Sequence, residues 1–180
     1  MKTKKIVITG GPGTGKTSLI NELKTRGYIC YDEVSRDVIL EARKEGIEQL
    51  FLTKPLLFSE RLLEGRKQQY IEANNSKSDL IFLDRGIPDV LAYMDYANET
   101  YPNHFVNASQ NHTYDAVFVL APWEAIFESD NERYENFKQA EEIHDYLLST
   151  YKKFDYNLTD VPLDTIENRV DFLLNHLSII

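Results

Sequence analysis

One eight-residue segment near the N-terminus restricts the possible folds more than any other feature of the chain. Residues 10–17 have the sequence GGPGTGKT, which fits the spacing G-x-x-x-x-G-K-[ST]. The segment follows an apolar run at residues 5–9, predicted as a buried strand, and precedes a helix predicted from about Lys16 to Arg26. A glycine-rich turn in this position directs backbone N–H groups and the positive end of a helix dipole at one point. The segment therefore predicts a phosphate-binding loop.

We expect this loop to bind the phosphates of ATP together with Mg²⁺. Lys16 can reach the β- and γ-phosphates, and the hydroxyl of Thr17 can ligate the metal. The alternative is a glycine-rich turn beside a surface lysine. The residues expected to bind the nucleotide are Gly11, Pro12, Gly13, Thr14, Gly15, Lys16, Thr17 and Ser18.

Short apolar segments alternate with segments of helical periodicity along the rest of the chain. We predict strands at residues 28–31, 80–83, 116–120 and 156–159. One helix is predicted after Asp32, which can cap it. A long helix is predicted to begin at Thr53 to Pro55 and to end at Asn74, and further helices are predicted at 88–98, 132–152 and 165–177. Such alternation indicates an α/β fold with a parallel sheet and right-handed crossovers. Since no repeat or linker is evident, residues 1–180 are predicted to form one domain.

The charge balance and composition argue against several classes of partner. The formal net charge is -9, so nucleic acid and anionic membrane surfaces would repel the average field of the protein. No segment approaches the ~20 apolar residues that cross a bilayer. One cysteine cannot form an internal disulfide, and the four histidines lack metal-ligand spacing. We expect a cytoplasmic protein that binds small molecules, without zinc.

Asp84 stands directly after the apolar run at residues 80–83. Ligands of open α/β sheets collect at the carboxyl ends of the strands, so this carboxylate is predicted to hold Mg²⁺ directly or through water. The alternative is an aspartate that merely ends a strand.

Three further residues have the chemistry that phosphoryl transfer requires. Glu33 follows the second predicted strand, Arg85 follows Asp84, and Arg133 lies beyond the fourth strand. A carboxylate facing the γ-phosphate can accept the proton of an acceptor hydroxyl, and guanidinium groups neutralise charge on the transferring group. Alternatively, Glu33 stabilises a helix N-terminus, and Arg133 is a solvated helix residue paired with a neighbouring glutamate.

The sequence resembles the P-loop kinase-like ATPases grouped with the ribosylnicotinamide kinase domain of the bacterial NAD regulator, and more broadly nucleoside and nucleotide kinases. The resemblance covers nearly the whole chain. It rests on residues 8–17, Glu33 with Arg36, Asp84-Arg85-Gly86 with Asp89, Asp130 with Arg133, and Val161-Pro162 with Arg169.

This resemblance implies a three-layer sandwich with a five-stranded parallel sheet of order 2-3-1-4-5 and helices on both faces. It further implies a helical lid around residues 123–137 and an adenine pocket near Val161 and Pro162. By position, Glu33 would be the base or acceptor-binding acid, Asp84 the metal-binding acid, and Arg85 and Arg133 the phosphate-contacting arginines. Many nucleotide kinases carry several lid arginines, whereas residues 121–138 contain only Arg133.

Two functions follow as expectations. The first is a small-molecule kinase that transfers the γ-phosphoryl group of ATP to a hydroxyl or phosphate acceptor, which Glu33 and the Asp84-Arg85 pair favour. The second is an ATP- or GTP-dependent regulatory module with weak NTPase activity, which the single lid arginine favours. No [NT]-K-x-D guanine motif follows the fourth strand, which favours ATP.

Proteins of the family that this sequence resembles are often labelled AAA-type ATPases. This chain is short for an added helical lid domain and shows no clear arginine finger, so a remodelling motor is not expected.

The tyrosines of the central region allow two interpretations. Tyr93, Tyr96 and Tyr101, with Tyr70, could line an acceptor pocket by stacking, or they could belong to the core.

Overall fold

The computed structural model describes residues 3–127 and 135–178. Five parallel strands form one sheet in the order β2-β3-β1-β4-β5, which confirms the predicted topology. The strands are β1 (Lys4–Gly10), β2 (Ile29–Tyr31), β3 (Leu80–Asp84), β4 (Ala116–Leu120) and β5 (Leu158–Val161). The central strand β1 places Ile8 opposite both Asp84 and Phe118, so the carboxyl ends of β1, β3 and β4 meet at one edge.

The helices of the described residues connect these strands. They are α1 (Lys16–Thr25), α2 (Val34–Lys44), α3 (Leu50–Thr53), α4 (Pro55–Asn75), α5 (Ile87–Tyr96), α6 (Asn103–Asn111), α7 (Phe137–Lys153) and α8 (Ile166–Leu177), with a 3₁₀ helix at Glu124–Ile126. None of them is long and apolar enough to cross a membrane.

Both faces of the sheet are covered by helices because successive strand side chains point in opposite directions. Ile6 and Ile8 pack with α1 and α8 in one apolar cluster. Val7, between them, packs on the other face with residues of α4 and α7. This arrangement confirms the predicted three-layer sandwich.

The start of α2 differs from the prediction that Asp32 caps it. Glu33 is the N-cap residue, and its Oε1 accepts a 3.4 Å hydrogen bond from the backbone N–H of Ser35. Asp32 instead pairs with Lys24 of α1 at 2.6 Å. One of the two alternatives for Glu33, that it stabilises a helix N-terminus, is therefore realised.

The predicted fifth strand and the long helix before it are both present, but each begins later than predicted. Helix α7 begins at Phe137 rather than 132, because Asn136 and Gln139 form a capping box there. The chain leaves α7 through Asp155, whose φ of 62° is left-handed, so β5 starts at Leu158 rather than 156. Of the lid predicted around residues 123–137, the structure describes the 3₁₀ helix and the start of α7; residues 128–134, with Arg133, lie outside the described residues.

Candidate active site at the carboxyl edge of the sheet

The glycine-rich loop joins β1 to α1 with a backbone that requires glycine. Gly10, Gly13 and Gly15 have φ values of 151°, 72° and 85°, which other residues rarely adopt. At Gly10, a Cβ atom would also lie 2.5 Å from the carbonyl oxygen of Leu120. The loop can therefore pass close to β4 only with glycine at this position.

Lys16 lies inside the loop, in a buried position. Its Nζ donates hydrogen bonds to the carbonyl oxygens of Gly10 at 2.7 Å and Gly11 at 2.8 Å, and lies 3.3 Å from Oγ1 of Thr14. Burial, and after it the positive charge of Arg85, lower the pKa of Lys16 to about 7 although nearby carboxylates act in the opposite direction. The ammonium group thus lacks a carboxylate in hydrogen-bond contact among the described residues, and a phosphate would stabilise its charge.

Asp84 ends β3 beside this loop and is 6 % exposed. Its Oδ1 has no hydrogen-bond partner among the described residues. Burial raises the pKa of Asp84, Glu33 and Asp89 raise it further, and Lys16 and Arg85 oppose them. A buried carboxylate oxygen without a partner fits a hard cation, and Thr17, exposed in the first turn of α1, adds a hydroxyl oxygen. These two residues fit Mg²⁺, which takes its remaining ligands from phosphate oxygens and water.

Glu33, at the end of β2, is held by two arginines. Arg66 of α4 donates to Glu33 Oε1 at 3.0 Å, and Nε of Arg85 forms an ion pair with Oε2. Burial by itself would raise the pKa of Glu33, but Arg85 and Arg66 outweigh it and bring the value to about 2. Glu33 is consequently an anion at neutral pH.

Asp89 is a second carboxylate in contact with Arg85. Asp89 is fully buried and accepts hydrogen bonds from Thr9 Oγ1 at 2.5 Å, the Gly86 N–H at 2.8 Å and the Tyr151 hydroxyl at 2.5 Å. Nη1 of Arg85 lies 3.3 Å from the same carboxylate. Asp89 therefore ties the end of β1, the start of α5 and helix α7 to the arginine that faces Glu33.

A cavity of about 430 Å³ opens from this cluster and runs between α2, α4 and α5. Glu33, Arg66, Arg85 and Asp89 line one part of it. Its apolar walls include Phe51, Phe58, Leu62, Tyr93, Met94 and Tyr96. A small, mostly apolar molecule with a polar group at the charged end fits such a cavity.

The structure thus brings together Lys16, Glu33, Asp84 and Arg85, which were predicted separately from the sequence. The pKa of Lys16 and the pKa of Asp84 are each influenced by the other three. Arg133 lies outside the described residues. At the carboxyl end of β5, Val161 is buried opposite Leu120 and Pro162 is exposed.

The tyrosine set divides between the two interpretations. Tyr93 and Tyr96 line the cavity. Tyr70 instead packs against the core, with its ring 4.9 Å from Lys5 Nζ, and the Tyr101 hydroxyl donates to Asp95 at 3.0 Å.

Sequence reasoning missed Arg66 and the aromatic wall formed by Phe51 and Phe58. A signal for Arg66 does exist, because it occupies the buried face of α4 in register with Ser59, Leu62 and Leu63. A charged residue on an otherwise buried helix face needs an ionic partner, and here that partner is Glu33.

Solved structures of two kinases are similar to this fold. Deoxyadenosine kinase from M. mycoides with bound dATP has a TM-score of 0.70 and 20% identity, over 97% of this chain and 99% of that chain. Thymidylate kinase from Candida albicans has a TM-score of 0.69 and 19% identity, over 99% of this chain and 92% of that chain. At these identities the similarity establishes the fold alone.

Comparison with curated protein sequences gave no match. The sequence profile of the AAA domain family matches residues 5–169, which include the glycine-rich loop, Asp84 and the strands β2 to β5. The chain therefore belongs to the AAA domain family and has the P-loop fold of nucleoside and nucleotide kinases.

Proposed function

We propose that this protein is a small-molecule kinase that transfers the γ-phosphoryl group of Mg-ATP to an acceptor bound in the cavity. The observation that carries the proposal is the position of Glu33, which lines the cavity and acts electrostatically on the loop lysine Lys16. A carboxylate that lines the cavity and lies within electrostatic range of the loop lysine can align an acceptor with the γ-phosphate. The likeness to a deoxyadenosine kinase and a thymidylate kinase supports this function.

Nucleotide and metal are assigned to the loop side of this site. The backbone of Gly11, Gly13 and Gly15 would bind the phosphates, together with Pro12, Thr14 and Ser18 of the same loop and helix start. Lys16 would neutralise the β- and γ-phosphates, while Thr17 and Asp84 hold Mg²⁺. Val161 and Pro162 would flank the adenine.

In the proposed step, the acceptor oxygen forms a bond to the γ-phosphorus and the bond to the β–γ bridging oxygen breaks, which releases ADP. The proton of an acceptor hydroxyl passes to Glu33 or to solvent. Because the transition state of phosphoryl transfer is loose, positioning and charge neutralisation matter more than a strong base. Glu33, with its pKa near 2 while both arginines hold it, therefore serves first to orient the hydroxyl. Arg85 and Arg133 would neutralise the transferring group.

The charges of the cavity favour a hydroxyl acceptor over a phosphate acceptor. Four carboxylates line the cavity, those of Glu33, Asp89, Glu99 and Glu135, against the two guanidinium groups of Arg66 and Arg85. Both arginines already pair with carboxylates. A phosphomonoester in the cavity would meet an excess of negative charge, whereas an uncharged nucleoside would not.

A second candidate is a regulatory module that binds ATP, or GTP, and hydrolyses it weakly. The single arginine in residues 121–138 favours it, because a lid with one guanidinium neutralises less of the transition-state charge. The narrower grouping with the ribosylnicotinamide kinase domain, and a cytoplasmic location, remain part of the proposal.

Matched acceptor pairs test the proposal. Deoxyadenosine, deoxycytidine and thymidine, each beside its 5′-monophosphate, are incubated with Mg-ATP, and products are identified by mass. Transfer to at least one nucleoside, at least tenfold faster than to its monophosphate, is expected. Faster transfer to a monophosphate would still support a kinase, but it would contradict the argument that the charges of the cavity disfavour a phosphate acceptor. ATP hydrolysis without transfer to any acceptor would favour the regulatory module.

A further inference from the structure

Arg169 of α8 is a buried cation that the proposed mechanism does not use. It is 1 % exposed and lies against the glycine-rich loop. Its Nη1 and Nη2 donate to one acceptor, the carbonyl oxygen of Thr14, at 3.3 and 3.2 Å. A Cβ atom at Gly15 would lie 2.9 Å from Nη1, so the guanidinium group lies directly beside the loop backbone.

This arginine differs from the two that line the acceptor cavity. Arg66 and Arg85 each pair with a carboxylate. Arg169 has no carboxylate partner among residues 3–127 and 135–178. Its Nε has no hydrogen-bond partner among these residues, a feature that it shares with Nε of Arg66. Burial lowers the pKa of Arg169, whereas at Arg85 the neighbouring groups outweigh the effect of burial and raise the pKa. A buried charge with one neutral carbonyl as its partner is unfavourable unless an anion compensates it.

The hydrogen bonds of Arg169 also orient the peptide unit that it touches. In a trans peptide the C=O and N–H bonds point in opposite directions. Since Arg169 holds the carbonyl of Thr14, the N–H of Gly15 points away from the guanidinium group. Phosphate-binding loops bind their ligand through such backbone N–H groups.

We propose that Arg169 is a positioning residue for nucleotide binding, which holds the Thr14–Gly15 peptide in its phosphate-binding orientation and supplies positive charge that the nucleotide phosphates compensate. The inference rests on the proposed function, because it requires that the loop bind a nucleoside triphosphate. Helix α8, which contributes no residue to the lining of the acceptor cavity, would thereby contribute to nucleotide affinity.

The test compares the free and the nucleotide-bound protein. Arg169→Met removes the charge and fills a similar space, and Arg169→Lys keeps the charge without the two parallel hydrogen bonds. Arg26→Met is the matched control, because Arg26 is an exposed arginine that joins α1 to α8 through Asp171. Unfolding by urea is measured without nucleotide, and affinity for Mg-ATP by calorimetry.

We expect Arg169→Met to be at least as stable as the parent without nucleotide, and to bind Mg-ATP about tenfold or more weakly. Arg169→Lys should have an intermediate affinity, and Arg26→Met the parent affinity. Loss of stability without nucleotide, or failure to fold, would contradict the inference and give Arg169 a structural role, whatever the affinity. Unchanged affinity in a stable Arg169→Met protein would also contradict it. A parent protein that does not bind Mg-ATP would overturn the proposed function, and this inference with it.

Discussion

Nη2 of Arg66 lies 3.0 Å from Oε1 of Glu33, and Nη1 of the same guanidinium group donates to the carbonyl oxygen of Gly86 at 3.0 Å. One side chain in the middle of α4 therefore joins the chain after β2 to the chain after β3. Arg66 thus links the two connections that carry Glu33 and Arg85, which form an ion pair with each other.

Replacing Arg66 with methionine should destabilise the protein by ~3–5 kcal/mol, since it leaves Glu33 buried with one ionic partner fewer. The pKa of Glu33 in the folded protein is about 2, below its ordinary value of 4.5. The contribution of ionised Glu33 to the free energy of unfolding is therefore complete above about pH 4.5, and it is lost as the pH falls toward 2.

Urea unfolding of parent and variant over this pH range checks the prediction, and the difference between them should shrink as the pH falls. Arg61→Met is the control, because Arg61 forms an exposed ion pair with Glu45 and should change stability little. Equal effects of the two substitutions would show that Arg66 does not stabilise Glu33.

Lys16→Ala should weaken Mg-ATP binding more than tenfold, because it removes the charge that pairs with the β- and γ-phosphates.

The affinity of the parent protein for ATP should also depend on pH through Lys16. The pKa of Lys16 is about 7 in the free protein, and a bound phosphate raises it by stabilising the ammonium form. Affinity should therefore fall as the pH rises above about 7, with proton uptake on binding. Calorimetry at pH 8 in two buffers of different ionisation enthalpy measures this uptake. Binding without proton uptake at pH 8 would show that Lys16 is already charged in the free protein.

Asp84→Asn should weaken the dependence of nucleotide binding on Mg²⁺ without loss of stability. Burial and neighbouring carboxylates raise the pKa of Asp84, so its negative charge disfavours the folded state at neutral pH. Removing that charge should leave the free energy of unfolding unchanged or raise it. Binding is measured with Mg²⁺ and with EDTA; the same Mg²⁺ dependence in parent and variant would assign Asp84 a structural role.

Gly65→Ala should destabilise the protein by ~1–3 kcal/mol although alanine favours helices. A Cβ at Gly65 of α4 would lie 2.4 Å from Cγ1 of Val34 in α2, a contact that the buried valine cannot relieve by moving into solvent. The double variant Gly65→Ala/Val34→Ala removes the clash, so its loss of stability should be smaller than the sum of the two single losses. Additive losses would exclude this contact as the cause.

The parts of the site that the sequence predicts are those set by local pattern. Lys16 stands in a motif between a strand and a helix, and Asp84 ends an apolar run, so both positions follow from neighbours in the chain. The position of Glu33 is predicted in the same way, because Glu33 stands just after the residues that form β2. The sheet order itself came from the family resemblance rather than from the periodicity of the strands.

Arg66 and the cavity walls depend on how distant elements pack. Arg66 meets Glu33 across 33 positions of sequence, and Arg169 meets Thr14 across 155. No local period encodes these contacts, because they arise only when α4 and α8 pack against the sheet. The short helices α3 and α6 were missed for a related reason, since a helix of four or nine residues gives too few turns for a periodic pattern.

The central claim is that the γ-phosphoryl group passes to an acceptor in the cavity rather than to water, with Glu33 orienting the acceptor. The most direct measurement is the fate of this group in ¹⁸O-labelled water, with Mg-ATP and the best nucleoside acceptor, in the parent protein and in Glu33→Gln. We predict that the parent forms a phosphorylated nucleoside without solvent oxygen, and that Glu33→Gln lowers this rate by roughly two orders of magnitude while Mg-ATP binding stays near normal. Inorganic phosphate carrying solvent oxygen as the sole product, or an unchanged transfer rate in Glu33→Gln, would contradict the account.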